Sequence, residues 1–221
     1  MKKKLKFKFK NRLQEASVKT LVYFVIGILI FFFIFKISSI IVYFELFVLV
    51  VFLVYMKNDD LLGYIYGGAF MAFVIYNAVG FALSTNVPLV VVVSSSMQHD
   101  DPARTYYGWL DTNLQYNKSF VDTWHFKNGF SLGDMPVILG QKSYRIGDII
   151  VFDAKQTAPV IHRVIYINED RTYQTKGDNN YGQLPFEKSV DMSQIKGKVI
   201  FIIPKIGYIK IALMKIIGVF R

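Results

Sequence analysis

The stretch "VVVSSSMQHD", residues 91–100, sets three serines directly behind a run of valines. A serine hydroxyl becomes a nucleophile only when a neighbouring group takes its proton; otherwise the serines are a polar cap where an apolar segment ends. The chain has no cysteine, which excludes thiol nucleophiles, cysteine zinc sites and disulfides and leaves histidine, lysine or a metal as the base. Three histidines occur, His99, His125 and His162, without HExxH or any other paired spacing, so a histidine metal site is not expected. Each is by default solvated or structural. His162 departs from that default, because "PVIHRVIYI" surrounds it with β-branched residues on a predicted strand, where an imidazole needs a partner. Downstream, "TKGDNN" supplies Asp178. An aspartate can hold a histidine in one tautomer and stabilise its imidazolium, although GD and DN pairs are also ordinary turn chemistry. Lys142 and Lys176 are the bases to consider for a serine–lysine site.

These residues must be carried by a chain of unusual composition. It has 221 residues, 53% hydrophobic and 16% aromatic, too apolar for a soluble domain of that length and pointing to a membrane protein with one modest extramembrane domain. The net charge of +10 is concentrated in "MKKKLKFKFKNR" and recurs at the extreme end. Basic residues flanking apolar segments mark the cytoplasmic side of a membrane and argue against a nucleic-acid partner. A bilayer core needs about 20 apolar helical residues, and segments 18–36, 38–56 and 61–83 have that length. The first runs into the second without a small-residue cleavage site, so it is expected to stay in the mature protein. The basic N-terminus is then cytoplasmic and the chain beyond the third span lies outside. Glu45, within the second span, is expected to pack against a helix or to snorkel, with a functional carboxylate as the alternative.

Residues 86–203 read as a β-rich domain. "PLVVVVS", "MPVILG", "DIIVFD", "PVIHRVIYI", "TYQTKG" and "KGKVIFII" are short apolar runs bounded by Gly, Pro, Asn or Asp, the pattern of strands and turns. Between residues 105 and 127 the aromatic-rich segment lacks alternation and predicts one or two short inserted helices. Residues 204–221 begin at Pro204, and Lys205, Lys210 and Lys215 scatter around the helix that follows, which suits a fourth span or an interfacial helix alike.

In this order, "SSSM" after an apolar segment, "YRIGDIIVF", "IHRV" and "TKGDNN" resemble the type I signal peptidases, specifically their archaeal and endoplasmic reticulum branch, the S26B peptidases. The resemblance covers roughly half of the chain. It implies a membrane protein with N-terminal transmembrane helices in residues 1–85, followed by an S26-like β-rich catalytic domain with a short helical insertion. It makes Ser96 the nucleophile and His162 the general base, a position held by lysine in the bacterial branch. Asp178 would orient His162 or shape its surroundings. Ser94 would join the Ser96 N–H in the oxyanion hole, and Gly147 with Asp148 would form a structural turn before a core strand. Many relatives carry a second acid about six positions after the box aspartate; here that position is Leu184, and the nearest acids are Glu187 and Asp191. His99 stands where many relatives have proline and is a rival base by proximity.

The activity so implied is removal of N-terminal signal peptides from exported preproteins after small residues of the Ala-x-Ala kind, without metal or cofactor. The partners implied are signal peptides, the lipid bilayer and the protein-export channel, with the catalytic domain on the extracytoplasmic face of a multi-pass cell-membrane protein. A non-catalytic polytopic binding or accessory protein is the competing reading; it explains the apolar segments but not the ordered serine, histidine and aspartate.

Overall fold

The computed structural model describes residues 60–156 and 158–216. The basic N-terminus, segments 18–36 and 38–56, and Glu45 lie outside the described residues. Two units are distinguished, Met1–Ala78 and Val79–Arg221.

Helix α1, Asp60–Ala82, has 23 residues and would rise about 34 Å. Its length agrees with the expected third span, but among the described residues no helix is long and apolar enough to cross a membrane. Its sequence carries four glycines, three tyrosines, Asn77 and Asp60 among the apolar residues. Met71, Val74, Ile75 and Phe81 are nevertheless exposed along it.

The second unit is built on one antiparallel sheet of β1 (Met135–Leu139), β2 (Ile149–Phe152), β3 (Val160–Ile167), β4 (Tyr173–Lys176) and β5 (Ile195–Ile203), in the order β1-β5-β2-β3-β4. The central strand β2 shows why the sheet is covered on both faces. Successive side chains of a strand point to opposite sides; Ile149 and Val151 enter one core cluster with Val92, Met97, Phe130, Ile138 and Val199, whereas Ile150 and Phe152 enter another with Tyr144, Val164, Tyr173 and Val190. All four β2 residues are buried. A third cluster, Tyr106, Leu110, Val121, Trp124 and Ile165, lies beneath the helical insertion. That insertion comprises a π-helical turn Ala103–Tyr107, α2 (Gly108–Leu114) and α3 (Lys118–Val121), as the loss of alternation predicts.

The segment "PLVVVVS" corrects the sequence expectation. It runs extended beside β1, with Val90 N donating to the Pro136 carbonyl at 3.2 Å and Val92 N to Asp134 at 3.0 Å, yet it forms a single bridge, Leu89 to Val137, and no continuous strand. Pro136 has no N–H to return to Val90, so the ladder loses a rung there. The last helix, α4 (Tyr208–Ile216), has nine described residues. They rise about 14 Å, short of a bilayer core of about 30 Å.

Candidate active site

Met97 fixes the serine segment. Its side chain is 1% exposed in the core beside β2, and its carbonyl accepts from Phe130 N at 3.0 Å. A turn closed by Gln98 N to the Ser95 carbonyl leaves Ser96 half-buried. Ser94 Oγ and Ser96 Oγ lie 3.1 Å apart, and the Ser96 carbonyl accepts from Asn179 N at 2.8 Å. Asn179 also reaches Ser95 O and Asp100 with its side-chain amide. The "TKGDNN" turn is therefore stitched to the serine segment through backbone.

His162 is 4% exposed on β3. Its Nδ1 is in hydrogen-bond contact with Oε1 of Glu187, a carboxylate with no exposed surface. Oε2 of Glu187 accepts from Leu184 N at 2.6 Å, which locks the short Pro185–Glu187 turn and aims the carboxylate at the ring. The other ring nitrogen faces Gly177. A Cβ on that glycine would stand 2.9 Å from His162 Nε2 and 2.9 Å from the Ser96 carbonyl oxygen. Gly177 thus backs both residues, and only the absence of a side chain permits the approach.

Asp178 occupies a different setting from the one anticipated for a partner of His162. Its carboxylate accepts from Arg163 Nε at 2.9 Å and Arg163 Nη2 at 2.6 Å, and pairs with His99 Nε2 at 3.0 Å. The alternation of β3 accounts for these partners: His162 and Arg163 are adjacent, so their side chains leave opposite faces of the strand, and Asp178 sits with Arg163. Burial pushes Asp178 up, but the Arg163 charge and the hydrogen bonds from His99 and Arg163 outweigh it and hold the carboxyl below the usual range. Arg163 is itself wholly buried. Its remaining donors go to the carbonyls of His125 (2.9 Å), Gly147 (3.0 Å) and Phe126 (2.9 Å), so all five N–H groups of the guanidinium are engaged.

The remaining sequence candidates take structural places. His99 is tied to Asp178, and its ring lies 4.6 Å from that of Tyr106. His125 contributes its backbone carbonyl to Arg163. Gly147 adopts φ +94° against the Trp124 ring, and Asp148 caps its own turn at Arg145 N while pairing with Lys198 at 3.1 Å. Asp191 caps the short helical turn Met192–Gln194. Among the described residues no group of three or more His, Asp or Glu side chains is arranged to hold a metal ion.

In the sequence Glu187 stands only as one of two acids near Leu184, and Gly177 and Arg163 carry faint signals: a glycine in a GD turn, and an arginine in an apolar strand beside a histidine.

A serine pair, an imidazole on β3 with a buried carboxylate on Nδ1, and a glycine approached by both the imidazole and the Ser96 carbonyl are groups of the kind a serine hydrolase uses. Signal peptidase complex catalytic subunits SEC11 are similar over most of their length. That of Komagataella phaffii is 30% identical over 156 residues, 63% of this chain and 74% of the relative. That of Clavispora lusitaniae is 27% identical over 163 residues, 69% and 79% respectively, and that of Scheffersomyces stipitis 28% over 151 residues, 63% and 74%. No family model and no solved structure matches the chain. The chain belongs to the SEC11 family of signal peptidase catalytic subunits.

Proposed function

We propose that the chain is a serine endopeptidase that removes signal peptides from preproteins, with Ser96 as nucleophile and His162 as general base. The observation that carries this reading is the approach of both His162 Nε2 and the Ser96 backbone to Gly177, with Glu187 on the opposite ring nitrogen. Ser96 Oγ attacks the scissile carbonyl while Nε2 of His162 takes its proton. The imidazolium so formed is stabilised by Glu187, returns the proton to the leaving amine, and then activates water to release the acyl-enzyme. The Ser96 N–H and the Ser94 hydroxyl, 3.1 Å from Ser96 Oγ, are the donors for the developing oxyanion. Asp178 acts through Arg163 and His99 by holding the turn and the serine loop in place.

An extended substrate has a berth beside the serines. The Val90 N–H goes to Pro136 of β1, and the Val92 N–H and carbonyl go to Asp134 and Gly133 just before it, so the backbone groups of Val91 and Val93 point the other way, where a peptide can add as a further strand. Small residues just before the cut suit a site that presses glycine and backbone together. Membrane attachment through the N-terminal apolar segments, with the β domain on the extracytoplasmic side, rests on the length of those segments and the basic N-terminus. The exposed Met71, Val74, Ile75 and Phe81 of α1 suit an apolar neighbour, in keeping with a multi-pass protein.

The test is incubation of the detergent-solubilised full chain with a model preprotein beside its Ser96→Ala variant. Cleavage at the signal-peptide junction by the parent and not by the variant is expected. Cleavage by both would overturn the nucleophile, and cleavage by neither the activity.

A further inference from the structure

Lys176 ends β4, one residue before Gly177, and is 3% exposed. Its Nζ donates to the Thr105 carbonyl at 2.6 Å and the Gly177 carbonyl at 2.9 Å, and stands 5.1 Å from the Trp109 ring centroid. Across the ladder its direct partner is Arg163, so two buried cations face each other in one register pair, an arrangement that disfavours pairing. Arg163 is matched by Asp178, whereas the hydrogen-bond partners of Lys176 are neutral carbonyls. Burying an ammonium on such terms costs stability compared with an apolar residue of similar size. What the ammonium gains is geometry, because one charge joins the π-helical turn of the insertion to the peptide group of the glycine that backs both Ser96 and His162.

We infer that Lys176 is a positioning residue of the peptidase reaction: its ammonium bolts the Gly177 carbonyl to the helical insertion, and the reaction depends on that bolt staying charged. The inference rests on the peptidase reading above. The charged groups facing Lys176 are Asp178 from the following turn, Glu187 from the Pro185–Glu187 turn and Arg163 from β3; the insertion contributes the Thr105 carbonyl and the Trp109 ring. Burial outweighs the two carboxylates and brings the lysine down to about 8. Above that pH the neutral amine keeps weaker, uncharged hydrogen bonds and loses its attraction to Trp109. Tyr106, Tyr107, Tyr116 and Tyr144 are all raised above the usual tyrosine range by burial, which removes them from the same pH window.

The experiment is the single-turnover pH profile of the full chain, from pH 7 to 10, on a model preprotein, with circular dichroism at each pH. The parent should lose about tenfold in rate above pH 8 with its fold intact, since charge-assisted bonds are roughly twice as strong as neutral ones. Lys176→Met should be about 10²-fold slower at pH 7, the cost of a misplacement near 1 Å, with little change in KM and no alkaline fall. Lys176→Arg, charged throughout, should recover part of the rate without the fall. A parent profile flat to pH 10 overturns the inference, as does an alkaline fall that persists in Lys176→Met. If the variants fail to fold, the parent profile alone decides. Absence of any Ser96-dependent cleavage would instead sink the peptidase reading itself.

Discussion

The imidazole of His162 and the carboxylate of Glu187 touch although 25 residues separate them, and both are almost completely removed from water. One residue further along β3, Arg163 meets Asp178 on the other face. Two acids that look alike in sequence are thereby divided between two settings, one beside the His162 imidazole and one inside a buried ion pair. That division is testable from either side.

For the first, Glu187→Gln keeps an amide oxygen to accept from Leu184 N but cannot stabilise an imidazolium. It should lower kcat by about 10³- to 10⁴-fold while the protein stays folded, as read by preprotein cleavage alongside thermal unfolding. A rate equal to the parent's would remove Glu187 from the mechanism.

Asp178→Asn should act first on stability. It leaves Arg163 buried beside an uncharged amide, at a cost of about 3–5 kcal/mol. Because the folded-state pKa of Asp178 is depressed, its contribution is present above the unfolded value of about 3.9 and lost as pH falls through the folded value. The gap in melting temperature between parent and variant should therefore be wide at pH 7 and narrow in strong acid. A constant gap across that range would contradict the ion-pair account.

Gly177→Ala is a one-carbon test of the shared wall. The methyl would meet His162 Nε2 and the Ser96 carbonyl at 2.9 Å and Asn180 Nδ2 at 2.7 Å, closer than non-bonded atoms tolerate. A rate loss of about 10²-fold is expected from the displacement. By comparison, Gly182, whose Cβ would meet nothing within 4 Å, should accept alanine with full activity.

Among the serines, Ser96→Ala should abolish cleavage, while Ser95→Ala, exposed and outside the hydroxyl pair, should be mild. Ser94→Ala should fall between them. Losing one oxyanion donor costs about 3–4 kcal/mol, or roughly 10²- to 10³-fold, and kinetics on the purified variants would rank the three.

Sidedness can be read cleanly because the chain has no cysteine. A single cysteine at Thr112, exposed on α2, should react with a membrane-impermeant thiol reagent added to intact cells. Protection there, with labelling only after lysis, would put the β domain in the cytosol.

The strands were legible where a short apolar run stood between turn residues. "DIIVFD" became the buried β2 and "PVIHRVIYI" became β3, and the imidazole set among β-branched neighbours marked His162. Legibility failed where the deciding partner was remote. The break in "PLVVVVS" comes from Pro136 across the gap, and Glu187 reaches His162 through a short turn whose direction no local pattern encodes. The two partners of a β-strand dipeptide also cannot be assigned from spacing. His162 and Arg163 look out on opposite faces, so proximity of Asp178 to either one in sequence says nothing about which it serves. In α1 the 23-residue length was legible from the apolar run 61–83.

The guanidinium of Arg163 holds Asp178 and the carbonyls of His125, Phe126 and Gly147 together. Peeling the insertion from the sheet would strand several of its donors in a place water does not reach, so a half-detached intermediate is expensive. Amide protons of the 125–126 loop, of Gly147 and of β3 should therefore exchange with solvent at one common free energy, as a single cooperative block, even though these segments lie far apart along the chain.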